Sequence, residues 1–156
     1  MRLDIESLSP PIKRGDKFTF TDKSQPGQTL QIELRPLDWL EEQAAMEQAD
    51  SLAIRYITGG WVDERGLYQK DPCPIEPIGG VPVVLTYRAL KEASMIAAMQ
   101  VSDEPYDAIW LCRFALAMPN AWAELQVAAR TLSAEYAKAE KKTDLLEGTG
   151  ISLESA

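Results

Sequence analysis

The sequence predicts an α+β fold, mainly α: an N-terminal β-hairpin, then about four helices, with a small β-turn and Pro-rich insertion after the first helix. Three observations carry this. Two short segments near the N-terminus alternate polar with aromatic or β-branched residues. Thr86 to Lys142 is one long helix-forming stretch, interrupted only at Ser102-Asp103-Glu104-Pro105 and Met118-Pro119-Asn120. Between these regions, Pro72, Pro74, Pro77 and Pro82 fall within eleven residues, which neither a helix nor a central strand tolerates.

Residues 1–15 read as an extended arm, because Ser9-Pro10-Pro11 restricts the backbone and Lys13-Arg14-Gly15 adds local positive charge. The globular domain spans 16–142. Its hairpin pairs Lys17-Phe18-Thr19-Phe20-Thr21 with Thr29-Leu30-Gln31-Ile32-Glu33-Leu34 around Pro26-Gly27. Phe18 and Phe20 fall on one side, as do Leu30, Ile32 and Leu34.

Pro36 ends the strand and leads into a helix from near Asp38 to Thr58. Asp38-Trp39-Leu40-Glu41 has capping-box spacing, and Leu37 stands where a hydrophobic staple begins. Ala45, Ala49, Leu52 and Tyr56, with Ala53 and Ile57 beside them, form the apolar face. Gly59-Gly60 stops the helix. Trp61-Val62 and Leu67-Tyr68 flank Asp63-Glu64-Arg65-Gly66 in a small hairpin or a tight turn. After the prolines, Val81 to Leu85 reads as a short strand.

The second helix runs from an N-cap at Thr86 to about Val101, with Leu90, Ala93, Ala97 and Val101 on its apolar face. Ser102 is positioned to cap the third, with Pro105 in its first turn. The third is apolar nearly all round from Ala108 to Met118, which predicts the central place in the core. Arg113 within it is expected to reach the edge or pair with a carboxylate. The fourth starts at Pro119-Asn120, and Trp122, Leu125, Ala129, Leu132, Tyr136 and Ala139 repeat at helical spacing. Residues 143–156 read as a flexible tail.

Composition narrows function by exclusion. The 156 residues hold 46% hydrophobic and 26% charged residues and carry a net charge of −8, so direct binding to nucleic acid is disfavoured. The start of the chain has acids where a signal peptide needs an apolar run, and no window is long enough to span a membrane, so a cytoplasmic protein is expected. There is no histidine, which removes Ser-His-Asp and Cys-His chemistry and the commonest metal ligand. Cys73 and Cys112 fit no metal spacing; one reads as a loop thiol, the other as a small core residue. Neither Gly59-Gly60 nor Gly79-Gly80 is followed by the residues of a phosphate loop. No catalytic, cofactor or metal site is expected. Trp61 and Tyr68, on a small projection, are candidate partner contacts, with packing on the domain's own helices as the alternative. Trp122 leads the stripe of the fourth helix, and such a stripe is either core or a face for a partner helix.

The order of elements, with the strand entering a helix through Leu34-Arg35-Pro36-Leu37, the Trp/Tyr-bearing turn, and an acidic helical half containing Ala117-Met118-Pro119-Asn120-Ala121-Trp122, resembles the small tail assembly chaperones of long-tailed bacteriophages. The likeness covers most of residues 17–142 and extends to size and acidity. It implies a non-catalytic protein of the host cytoplasm that binds other phage tail proteins, above all the tape-measure protein, a long hydrophobic helix former, before the tail tube assembles. A homo-oligomer is compatible with it. The resemblance also implies a longer frameshifted product, and Glu140-Lys141-Lys142 falls where a slippery run would be encoded. Two other readings stand beside it: a minor structural or adaptor protein of the virion, and an acidic inhibitor of a host protein. The second is ranked lower, because the acids are scattered among lysines.

Overall fold

The computed structural model describes the backbone of residues 16–21 and 29–148 and the side chains of residues 30–138. Strands β1 (Asp16–Thr21) and β2 (Thr29–Leu34) form the expected antiparallel hairpin, with Phe18 opposite Ile32 and Phe20 opposite Leu30. Its Pro-Gly turn, the side chains of Phe18 and Phe20, and the arm lie outside the described residues. Alternation on β2 follows the pleat: Ile32 and Leu34 are buried and Leu30 packs against them, while Gln31 is exposed.

The far edge of β2 does not stay open. Arg35 N–H donates to Met99 O at 2.8 Å and Val101 N–H to Glu33 O at 2.9 Å, so the chain leaving the second helix pairs antiparallel with the strand at Leu34 and Gln100. This long-range pairing ends the second helix at Met99, short of the expected Val101, and Val101 is left exposed.

Helix α1 (Trp39–Ala53) begins with the predicted capping box: Glu41 N–H donates to Asp38 Oδ1 at 2.8 Å and Asp38 N–H to Glu41 Oε1 at 3.2 Å. Glu41 also pairs with Arg35 at 2.5 Å, which holds the guanidinium above its ordinary pKa. Leu37 is buried but staples nothing, because the position four residues into the helix is Glu42; it joins Ile32 and Leu34 in the core instead. The helix then widens into a π-helical turn over Ile54–Thr58, where Thr58 Oγ1 donates to Ile54 O at 3.1 Å.

Helices α2 (Tyr87–Met99), α3 (Ala108–Ala117) and α4 (Pro119–Gly148) follow. Tyr87, at the start of α2, hydrogen-bonds Asp50 near the end of α1, and Met99 at its other end meets Arg35 just before α1, so these two helices run antiparallel. Sequence places α3 at the centre; the structure gives that place to α2. It packs against α1, α3 and α4, and it buries Leu90, Ala93, Ser94, Ile96 and Met99. In α3, Ala108, Leu111, Cys112 and Phe114 are buried while Leu116 is 55% exposed. The share of apolar residues says how much of a helix could be buried; which helix has neighbours on most sides is set by packing order.

The start of α3 also differs from expectation. Ser102 does not cap it and Pro105 lies before it; Asp107 is the cap, its Oδ1 accepting from Trp110 N–H at 2.7 Å. The Gln100 side-chain amide explains the delay. It donates to Tyr106 O at 2.8 Å and accepts from Tyr106 N–H at 3.0 Å, satisfying that main chain out of the helix. From Tyr106 a stacked row runs to Trp110 (ring centroids 3.9 Å apart) and on to Phe114 (5.5 Å).

Helix α4 buries Leu125, Ala129 and Leu132 of the predicted stripe, with Trp122 and Tyr136 half-buried; the Ala139 side chain lies outside the described residues. Its backbone runs on to Gly148, into the stretch that composition assigns to a tail.

Candidate protein-binding surfaces

The first surface is the projection after α1. Strands β3 (Trp61–Val62) and β4 (Tyr68–Gln69) form the expected hairpin, with Trp61 opposite Gln69 and Val62 opposite Tyr68. Residues paired across a hairpin share a face and neighbours along a strand do not. Trp61 and Tyr68 therefore point to opposite faces. Trp61 is half-buried: its indole N–H donates to Asp71 O at 2.8 Å and the Arg55 guanidinium lies 5.8 Å from its ring. Tyr68 is 66% exposed, beside an exposed Val62 and near Ile54 across Gly60. Of this candidate pair, only Tyr68 presents a surface.

The hairpin is held in shape rather than loosely attached. Asp63 at the turn accepts from Arg65 N–H and Leu67 N–H, both at 3.0 Å, and from the Gln69 amide at 2.8 Å. These bonds, led by the one from Leu67, hold its carboxyl below the ordinary aspartate range. A carboxylate with a lowered folded pKa contributes stability fully above the unfolded value and loses it as pH falls through the folded one. We expect protection of the Leu67 amide from exchange to drop as pH falls below the ordinary aspartate pKa, about 3.9. The same amide in Asp63→Ala should lack protection at every pH, and a flat profile in the unchanged protein would contradict this role for Asp63.

Trp122, the third candidate, is not brought to this hairpin. It packs on the core beside a cleft of about 80 Å³ lined by Val84, Leu85, Cys112 and Leu116. It belongs with the segment that precedes α2. That segment is not the strand expected over Val81–Leu85. Ile78 and Val81 exchange N–H···O bonds, both at 3.0 Å, around Gly79-Gly80, whose positive φ values of 56° and 80° make a tight turn. Pro82 then has no N–H to offer a partner, Val84 points to solvent and Leu85 packs on the core. The Pro-rich connection is tied to α3 by Glu76 and Arg113, 3.8 Å apart, the edge pairing expected for Arg113.

The second surface was not legible as a site in the sequence. A groove of about 430 Å³ lies between α1, α2 and α4, floored by Met46, Met95, Ile96, Met99 and Ala129, with Lys91 and Arg130 among its lining residues. Its signal was present only as three methionines on two helices. Methionine side chains are flexible and polarisable, and they recur at surfaces that accept varied apolar partners.

Among the described residues no three His, Cys, Asp or Glu side chains come together as metal ligands. Cys112 is buried, and burial, with Asp107 and Glu92 nearby, pushes its thiol up to about 11, far from a nucleophile at neutral pH. No described helix is long and apolar enough to cross a membrane. No protein-family model matches the chain, and no curated protein or solved structure matches it either.

Proposed function

We propose that this protein is a non-catalytic tail assembly chaperone of a long-tailed bacteriophage, which binds the tape-measure protein and keeps it soluble until the tail forms. The observation that carries the binding role is the methionine-floored groove between α1, α2 and α4. A groove bounded by helices and lined by adaptable apolar side chains suits an amphipathic helix laid into it. The net charge of −8 supports the chaperone part, since it keeps a complex with an aggregation-prone client soluble. The phage context rests on the resemblance in element order, size and acidity.

Co-expression with a tape-measure protein of a long-tailed bacteriophage tests the reading. The expected result is a soluble client that co-purifies with the chaperone. A client equally insoluble with and without it would remove the proposal. Abundant copies of the chain in purified virions would favour the structural-adaptor reading.

A further inference from the structure

We propose that the groove between α1, α2 and α4 receives about two turns of an amphipathic helix from another protein. The helix would lay its apolar face on Met46 and Met95, above the buried Met99, and pair acidic residues beside that face with Lys91 and Arg130. The inference rests on the binding-protein reading above and adds to it the chemistry of the partner.

The length of the groove sets the length of the occupant. Along α2 the groove is lined from Lys91 to Met99, which at the helical rise is about 12 Å, a little over two turns. An occupant of that length presents anchors at i, i+3 or i+4, and i+7, the usual three contacts of a helix in a groove.

Charge selects among helices of that length. In a chain of net charge −8, the lining offers cations. Glu92, the one acid there, is already engaged: Gln126 donates to it at 2.7 Å and Arg88 pairs with it at 3.3 Å. Arg130 is exposed and enters no ion pair among the described residues, and Lys91 lies 4.9 Å from the Tyr87 ring, its charge unmatched by a carboxylate there. A helix with acids flanking its apolar stripe meets these two cations; one with lysines is repelled.

The test uses the full chain and two labelled synthetic amphipathic helices that share one apolar face, one flanked by glutamates and the other by lysines. Fluorescence anisotropy at low salt should show the glutamate-flanked helix binding at least about tenfold more tightly. Lys91→Glu, at a half-buried position, with Arg130→Glu, at an exposed one, should leave the circular-dichroism melt in place and reverse the preference. Equal affinities, or a preference that survives the reversal, would overturn the proposal. So would a dimer that the double reversal dissociates, since the occupant would then be a second copy. A peptide of residues 1–15 that displaces the glutamate-flanked helix with higher affinity would also overturn it in favour of the chain's own arm. The two readings fail separately. A helix bound with the predicted preference while no tail protein co-purifies keeps the groove and sinks tail assembly. A tape-measure protein retained unchanged by the doubly reversed variant keeps tail assembly and sinks this groove.

Discussion

Leu90→Ala is expected to lower the free energy of unfolding by about 2–5 kcal/mol, the usual range for a leucine removed from a rigid core. Leu90 has no exposed surface and sits on α2, with α1, α3 and α4 around it. No single neighbour can collapse into the space without leaving another contact. Helix propensity cannot account for the loss, because alanine is the better helix former. Urea denaturation checks it: the midpoint should fall with little change in slope. Leu116→Ala supplies the contrast. Leu116 lies in α3, the more apolar helix, yet it is 55% exposed, and the change should stay within about 0.5–1 kcal/mol. If Leu116 proved the costlier position, α2 would not be the central helix.

Gly59→Ala should detach the β3–β4 hairpin from the end of α1. Gly59 has φ 90° and ψ 172°, a region that residues with a Cβ avoid. A Cβ there would lie 1.9 Å from Lys70 O and 2.9 Å from the Asp71 carbonyl carbon, both main-chain atoms. The 70–71 segment must move. Its movement pulls Asp71 O from the Trp61 indole and strains the 2.8 Å bond from Cys73 N–H to Arg55 O. Backbone strain alone is about 1–3 kcal/mol, and the displaced contacts add to it. Hydrogen exchange should show lost protection at Gly60 and Cys73 with the core of α2 unaffected. The same substitution at Gly66, where φ is 78° and a Cβ meets nothing within 4 Å, should carry only the strain. Equal effects at the two glycines would show that the overlap with Lys70 does not matter.

These two positions mark where reading by pattern succeeds and where it stops. The capping box at Asp38 and Glu41 was legible because it is made within one helical turn. Both hairpins, the stripe of Leu125, Ala129 and Leu132, and the buried face of β2 were legible because periodicity reports local geometry. Helix α3 starts from a cap at Asp107 rather than Ser102 because the Gln100 amide reaches forward to the Tyr106 main chain, a contact no propensity encodes. The staple at Leu37 failed on one residue, Glu42. Trp61 and Tyr68 lie on the hairpin that the turn residues between them indicate, but their opposite facing depends on the register Val62–Tyr68, and the groove joins methionines that no local pattern links.

By itself, then, the sequence determined the α+β class, the order of the helices, the proline-interrupted connection and the net negative charge. Each follows from interactions within a few residues or from composition. Only the tertiary structure decided that α2 is central, that Met99–Val101 covers the edge of β2, and that Met46, Met95 and Met99 meet beside Lys91 and Arg130. Those outcomes join residues far apart in the chain. Their free energy comes from close packing and long-range pairing, which a one-dimensional pattern constrains but does not specify.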